Sequence, residues 1–395
     1  MDIQGERAGS TCPHFGDCGG CLWQDVPYEE QLRRKEQSVQ RIFQEAGMEV
    51  RCQEPILPSP QPFQYRNKME FTAVPDPDRG LVLGLHRRGR FDAVVDIYEC
   101  WLPPAEANPI VESIRQVARR YGIRAYDYVQ HTGFLRNVVL RFANPPEQWM
   151  VLLVTTTPTQ PPEEAFLREL AERLPALFPT VRTVAQVIND TWSPVSVGEL
   201  RVLFGDGVIE QSLCGMRFRI SPFAFFQVNW VQLERFFGRI LELAQPQPTD
   251  IVWDLYCGTG SIALVLACHV RHVYAAELVT SALEDARRNA AMNGVENVSW
   301  FALDLHRPAA RQTLDALPQP DLLVVDPPRA GIHWRLLQYL LERPAQRMLY
   351  VSCNPLTQVR DLKRLLQLYE LERLQPVDLF PQTPHVEVIA CLRRR

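Results

Sequence analysis

In Ile251-Val252-Trp253-Asp254-Leu255-Tyr256-Cys257-Gly258-Thr259-Gly260-Ser261 the short apolar run Ile251–Leu255 breaks at two glycines, after which a helical pattern begins. Such a run reads as a buried parallel strand, and glycines at its carboxyl end let backbone amides approach a ligand closely. The same rhythm continues downstream. Apolar runs recur at Val273–Ala276, Val298–Phe301, Leu322–Val325 and Met348–Val351 with helical segments between them, the pattern of a parallel sheet with crossover helices. Two last strands, near Leu371–Phe380 and His385–Leu392, have no long helix between them and are expected to pair antiparallel at the sheet edge. Residues 223–395 are therefore expected to form an α/β domain, a doubly wound sheet of seven strands with an antiparallel edge.

Upstream, the strands come in runs with few helices, as in an antiparallel α+β domain. Residues 56–222 hold apolar or alternating stretches at Phe63–Val74, Gly80–Cys100, Phe134–Ala143, Trp149–Thr155, Val181–Asn189 and Val208–Ile220, with helices expected over Ala105–Tyr121 and Glu163–Leu174. Residues 1–55 form an arm with three close cysteines and a helix from Tyr28 to about Glu45, joined to the rest by the Pro-rich stretch Pro55 to Pro62. The 395 residues exceed one typical core, and with 46% apolar and 22% charged residues the chain is expected to be folded and soluble. No run approaches membrane-span length and the amino terminus lacks a signal-peptide pattern, so the cytoplasm is the expected compartment. A net charge of −4 argues against non-specific coating of nucleic acid, but basic clusters at Arg33-Arg34-Lys35, His86-Arg87-Arg88-Gly89-Arg90 and Arg393-Arg394-Arg395 leave nucleic acid open as a substrate.

The glycine corner lacks the G-x-G-x-x-G spacing of dinucleotide sites, and the second strand ends about twenty residues on at Glu277, where a carboxylate can accept from ribose hydroxyls. That pair suits S-adenosylmethionine, which has an adenosine but no phosphates to cradle. The fourth strand ends in Asp326-Pro327-Pro328-Arg329, a rigid exit that holds the Asp at the carboxyl edge. Methyltransferases acting on exocyclic amines carry an aromatic after Asp/Asn-Pro-Pro. Arg329 stands there instead, which favours another mechanism. Cys353, in Ser352-Cys353-Asn354-Pro355, closes the fifth strand, and Glu387 lies on the last one. Methylation of uracil C5 needs this set: a thiolate to add at C6, a base to remove the C5 proton, and a polar group near the ring edge. Cys353, Glu387 and Asp326 fit those three roles.

Ser221-Pro222-Phe223-Ala224-Phe225-Phe226-Gln227-Val228-Asn229, Asp254-Leu255-Tyr256-Cys257-Gly258, Asp326-Pro327-Pro328-Arg329, Ser352-Cys353-Asn354-Pro355 and Pro384-His385-Val386-Glu387 together resemble the RNA 5-methyluridine (uracil-C5) methyltransferase family. The resemblance follows the order of the family's motifs over most of the chain. It implies a class I S-adenosylmethionine-dependent methyltransferase fold, Cys353 as nucleophile and Glu387 as proton-abstracting base. It also implies cofactor contacts from Gln227, Tyr256, Gly258, Ser261, Glu277, Asp304 and Asp326. Cytosine-C5 methylation uses the same thiol addition, but the absence of a Pro-Cys motif favours uracil. A non-catalytic RNA-binding protein on this fold is disfavoured by the joint presence of nucleophile, base and cofactor motifs.

Cys12, Cys18 and Cys21 sit in a loop with glycines at 16, 19 and 20, and a fourth thiolate from Cys52 or Cys100 would complete a zinc or iron–sulfur site. Ile97-Tyr98-Glu99-Cys100 resembles the family's late cluster cysteine, so similarity to the iron–sulfur-containing 23S rRNA type implies a [4Fe–4S] cluster on Cys12, Cys18, Cys21 and Cys100, with zinc the alternative. Because the cysteine motif begins almost at residue 1, the amino-terminal TRAM-like barrel of many relatives is not expected here. RNA contacts are then expected from Arg66, Lys68, Arg87, Arg88 and Arg90. The RNA expected is ribosomal, with transfer RNA open, and the protein is expected to act as a monomer.

Overall fold

The computed structural model describes residues 12–48, 50 and 52–395. Helix α1 (Tyr28–Glu45) follows Pro27 and carries Glu29 and Glu30 in its first turn, where the helix dipole favours them. Its buried stripe, Gln31, Lys35, Val39 and Phe43, recurs every four residues, so one face turns inward. The two-residue strand β1 (Cys52–Gln53) follows it.

A seven-stranded sheet comes next, built from β2 (Lys68–Asp76), β3 (Gly80–Arg87), β4 (Arg90–Asp96), β5 (Leu135–Ala143), β6 (Gln148–Thr155), β7 (Val181–Ile188) and β8 (Glu199–Gly205) in the order β4-β3-β2-β5-β6-β7-β8. Helices α2 (Ala107–Arg120) and α3 (Pro161–Leu177) cover one face. All neighbours are antiparallel except β6 and β7, which run parallel because α3 carries the chain back between them. β8 has no counterpart among the strands read from sequence. As an edge strand it is exposed on both faces apart from Leu203, and so lacks the alternation that marks a half-buried strand.

The hairpin β9 (Ile209–Leu213) and β10 (Met216–Ile220) leads into α4 (Leu233–Ala244) and the second large sheet. This contains β11 (Ile251–Leu255), α5 (Ser261–Ala267), β12 (His272–Glu277), α6 (Thr280–Met292), β13 (Val298–Ala302), α7 (Ala309–Asp315), β14 (Leu322–Val325), α8 (Trp334–Glu342), β15 (Arg347–Ser352), α9 (Pro355–Leu365), β16 (Tyr369–Val377) and β17 (Glu387–Arg394). Strand order is β1-β16-β17-β15-β14-β11-β12-β13. Alternate residues face opposite layers. Val252, Val324 and Val351 meet α4 and α5, whereas Trp253, Val325 and Tyr350 meet α1, α8 and α9. This is the expected doubly wound sheet of seven strands, with β1 added outside them.

β16 and β17 pair antiparallel at this sheet edge, as expected, with β17 lying between β15 and β16. Two details differ from expectation. His385 precedes β17 instead of starting it. The hairpin expected with the central strands bonds to α6, Arg219 N–H donating to Asn289 Oδ1 at 2.8 Å and Arg217 N–H to Asn293 Oδ1 at 2.9 Å. The basic clusters are also reassigned: Lys35 is buried, Arg33 and Arg34 pair with Glu30, and Arg393 pairs with Glu372. No helix among the described residues is long and apolar enough to cross a membrane.

Candidate active site

The carboxyl ends of β11 to β15 share one sheet edge, and the strand order reverses between β11 and β14. Open α/β sheets bind ligands in that crevice. At its β11 side the chain turns through Tyr256, Gly258 and Gly260, all with φ between 55° and 77°. A Cβ at Gly260 would lie 2.5 Å from the Trp300 ring, so no other residue fits this turn. The Gly258 N–H donates to Glu277 Oε2 at 3.0 Å, and the other Glu277 oxygen accepts from the N–H groups of Leu278 and Val279. Glu277 at the end of β12 is thus tied to the glycine corner. Ser261 opens α5 half-buried, while Asp304, after β13, accepts from His306 N–H and Arg307. Gln227 lies in the loop before α4, where Asn67 holds its carbonyl at 2.8 Å and Thr259 bonds the Phe225 carbonyl.

Asp254, inside this corner, was part of the quoted motif but carried no expected role. It is 0% exposed, and among the described residues no hydrogen bond of 3.5 Å or less reaches either carboxylate oxygen, the Ala263 N–H lying beyond good bonding geometry. Burial, with the neighbouring Asp326 charge, pushes its pKa up to about 8; the Ala263 N–H opposes that shift and Glu277 adds to it. Burial also raises Asp326 above the usual carboxylate range. Among the described residues no cation pairs with Asp254 or Asp326, a setting that favours a positively charged ligand there.

Across β14 and β15 the edge becomes reactive in composition. Ser352 pairs with Val388, and one further step of the same register sets Cys353 beside Glu387. Directly opposed residues have Cβ atoms roughly 5 Å apart. Cys353 is half-buried, and Glu387 is 3% exposed. Burial lifts the thiol, and the charges of Glu387 and Asp326 lift it further, whereas the nearby Arg329 guanidinium opposes them. Glu387 is raised well above its ordinary value by burial and then by Asp326, again opposed by Arg329. Asn354-Pro355 caps the start of α9, with Asn354 Oδ1 accepting from Leu356 N–H, so Cys353 sits just ahead of a helix amino terminus that favours a thiolate. Asn354 Nδ2 and Thr357 Oγ1 both donate to the Arg329 carbonyl, at 3.0 and 3.1 Å, which fixes the turn after Pro328 against α9. Arg329 is the group that residue spacing left without a role. Its position in place of an aromatic was the one available signal.

Cys12, Cys18, Cys21 and Cys100 all line one small cavity together with His14 and Gln24, while Cys52 is exposed elsewhere on β1. All four are free thiols, and burial pushes Cys21 and Cys100 up to about 12. Among the described residues no three His, Cys, Asp or Glu side chains are grouped so as to hold a metal ion as they stand. By residue type the four thiols are the soft donors that a metal or cluster would take, they line one cavity, and the loop is pinned by Arg88 donating to the Cys21 carbonyl at 2.7 Å. Arg88 is thereby committed to that loop. Arg87 and Arg90 pair with Asp17 and Asp92 at the surface, while Lys68 is exposed and Arg66 half-buried near the active edge.

A family model described as tRNA (uracil-5-)-methyltransferase matches residues 208–395. An uncharacterized RNA methyltransferase of Chlorobaculum tepidum is 37% identical over 100% of this chain and 85% of its own length. A likewise uncharacterized Clostridium tetani RNA methyltransferase is 35% identical, covering 98% and 84% respectively. Among solved structures, the Pyrococcus abyssi tRNA (uracil-54, C5)-methyltransferase in complex with S-adenosyl-L-homocysteine superposes with a TM-score of 0.77 at 30% identity, covering 94% of this chain and 85% of that one.

Proposed function

The chain belongs to the RNA (uracil-5-)-methyltransferase family and uses S-adenosylmethionine; from that premise we propose a covalent mechanism in which Cys353 is the nucleophile and Glu387 the base. The observation that carries it is the adjacency of Cys353 and Glu387 across β15 and β17, with the Arg329 charge acting on both groups.

Uracil C5 is a poor nucleophile. Addition of the Cys353 thiolate to C6 converts the ring to an enolate whose C5 carries the charge. S-adenosylmethionine, when bound, supplies an electrophilic methyl group to that carbon and leaves as S-adenosylhomocysteine. The Glu387 carboxylate then takes the C5 proton, the C–H electrons re-form the C5–C6 double bond, and the C6–S bond breaks to return the Cys353 thiolate. A base with a raised pKa suits this step, because proton affinity drives the transfer. Arg329 stabilises the thiolate, and Asp326 holds the polar edge of the ring.

Gln227, Tyr256, Gly258, Ser261, Glu277, Asp304 and Asp326 are the proposed cofactor contacts. The net positive charge of S-adenosylmethionine, absent in its demethylated product, matches the uncompensated carboxyl groups of Asp254 and Asp326. Cys12, Cys18, Cys21 and Cys100 would hold a [4Fe–4S] cluster, or zinc in its place, in a structural role. Iron, acid-labile sulfide and zinc assays on anaerobically purified protein separate these.

The RNA is a single-stranded or flipped uridine, contacted through Arg66, Lys68, Arg87 and Arg90. The cysteine pattern favours 23S ribosomal RNA. The similarity to a tRNA enzyme of Pyrococcus abyssi supports tRNA as the second reading. The chain divides functionally into residues 1–55, 56–222 and 223–395, although α1 and the β9–β10 hairpin pack with the catalytic sheet, and we read it as a cytoplasmic monomer. RNA carrying 5-fluorouridine should trap a denaturation-resistant adduct with the wild-type protein. An undiminished adduct in Cys353→Ala would remove Cys353 as nucleophile. Labelling of ribosomal against transfer RNA with methyl-labelled cofactor decides the substrate.

A further inference from the structure

The turn Asp378–Val386, which delivers Glu387 to the sheet edge, is held from outside the catalytic sheet by buried groups with no place in the reaction. Lys35 Nζ on α1 pairs with Asp378 Oδ1 at 2.7 Å and donates to the Phe380 carbonyl at 2.9 Å; both side chains of the pair are 0% exposed. Tyr28 donates to the other Asp378 oxygen at 3.0 Å. One turn before Lys35, Gln31 exchanges two bonds with Gln382: its Nε2 donates to Gln382 Oε1 and its Oε1 accepts from Gln382 N–H, each at 2.9 Å. The same Gln31 amide bonds the carbonyls of Trp23 and Val26. Immediately after Cys21, the N–H groups of Leu22 and Trp23 both donate to the Gln382 carbonyl, at 2.8 and 3.0 Å. Tyr65 donates to the Pro381 carbonyl at 2.9 Å.

Gln382 itself has φ +68°, a conformation that a non-glycine residue keeps only when its surroundings over-determine it. Gln31 and Lys35 touch neither the crevice nor Cys353. A solvated surface helix has no need to bury a glutamine and a lysine, and a hydrophobic stripe would dock α1 at lower desolvation cost. Their contacts converge on three residues of the turn, Asp378, Phe380 and Gln382, and the turn ends at Glu387.

We infer that α1 and the segment following Cys21 form a clamp that positions Glu387, with Gln31 and Lys35 as positioning residues for removal of the C5 proton. The inference rests on Glu387 being the base. Displacing a reacting group by about 1 Å costs on the order of 100-fold in rate, and here that cost falls on one step. Cys353, seated between β15 and the capped start of α9, is fixed independently of the turn.

The test is single-turnover kinetics with a uridine RNA, separating formation of the Cys353 adduct from its release, for Gln31→Met, Lys35→Met/Asp378→Asn and Gln382→Gly. The glycine variant relieves the positive φ and keeps the backbone carbonyl, so it folds if the turn tolerates any change. Adduct formation should stay within about threefold of wild type while release slows about 10- to 100-fold, so that the methylated adduct accumulates. Faster amide exchange confined to residues 379–386 should accompany it. Proportional loss in both steps, or unchanged release in Gln382→Gly, overturns the clamp. Glu387→Gln is the control: if it too fails to retain the adduct, the assignment of the base fails; if it retains the adduct while the clamp variants release normally, only the clamp fails.

Discussion

Replacing Asp254 by Asn tests whether the crevice is built to receive a positive charge. Asp254 is fully buried with no close hydrogen bond to either oxygen, and burial raises its pKa from 3.8 to about 8. A folded-state pKa above the unfolded value means that the native state binds more protons between these limits. Stability from this group is therefore fully present below about pH 4 and is lost as pH rises through about pH 8. The slope for one such proton is at most about 1.4 kcal/mol per pH unit, so roughly 2 kcal/mol disappears between about pH 5.5 and about pH 7.5. Asp326 and Glu387 are raised as well and steepen the wild-type slope in the same direction. Urea unfolding of ligand-free wild type and Asp254→Asn across this range should give curves that converge or cross as pH rises, because the variant lacks one proton's worth of slope. The cofactor should supply the positive charge. Its stabilisation of wild type should then grow with pH, and Asp254→Asn should weaken S-adenosylmethionine more than S-adenosylhomocysteine. Parallel stability curves, or equal loss of both ligands, would refute the reasoning.

Arg329→Gln removes the group that opposes the upward shift of the Cys353 thiol; adduct formation with 5-fluorouridine RNA should slow about tenfold near neutral pH and recover in more alkaline buffer. Unaltered pH dependence would separate Arg329 from the thiolate. Lys35→Met alone strands a buried Asp378 carboxylate and should cost about 3–5 kcal/mol in urea unfolding, much of it regained in Lys35→Met/Asp378→Asn. Gly260→Ala forces a methyl against the Trp300 ring at a positive φ and should lower both the melting temperature and cofactor affinity, measured by calorimetry and titration. A variant as tight as wild type would show that the turn moves freely.

The α/β sheet was legible because its strands are buried on both faces and read as continuous apolar runs between helical patterns; Ile251–Leu255 and Leu322–Val325 match the observed strands residue for residue. Chemistry concentrated at strand ends made Cys353, Glu387, Asp326 and Glu277 stand out before any fold was known. β8 and β1 escaped notice, since an edge strand exposed on both faces and a two-residue strand carry no periodicity. Basic residues misled for a related reason: composition records charge but not partners, and Lys35, read within a surface cluster, is a buried ion pair.

Sequence by itself determined the order of strands and helices, the kind of chemistry at each strand end and the presence of four cysteines of interest, because these depend on local pattern and residue type. Tertiary structure decided which of those ends meet. The insertion of β17 between β15 and β16 brings Glu387 beside Cys353, and folding back of α1 joins residues 343 to 351 positions apart, Lys35 to Asp378 and Gln31 to Gln382. Burial is a property of the assembled core alone, which is why the charge state of Asp254 and the grip on the Glu387 turn became visible only there.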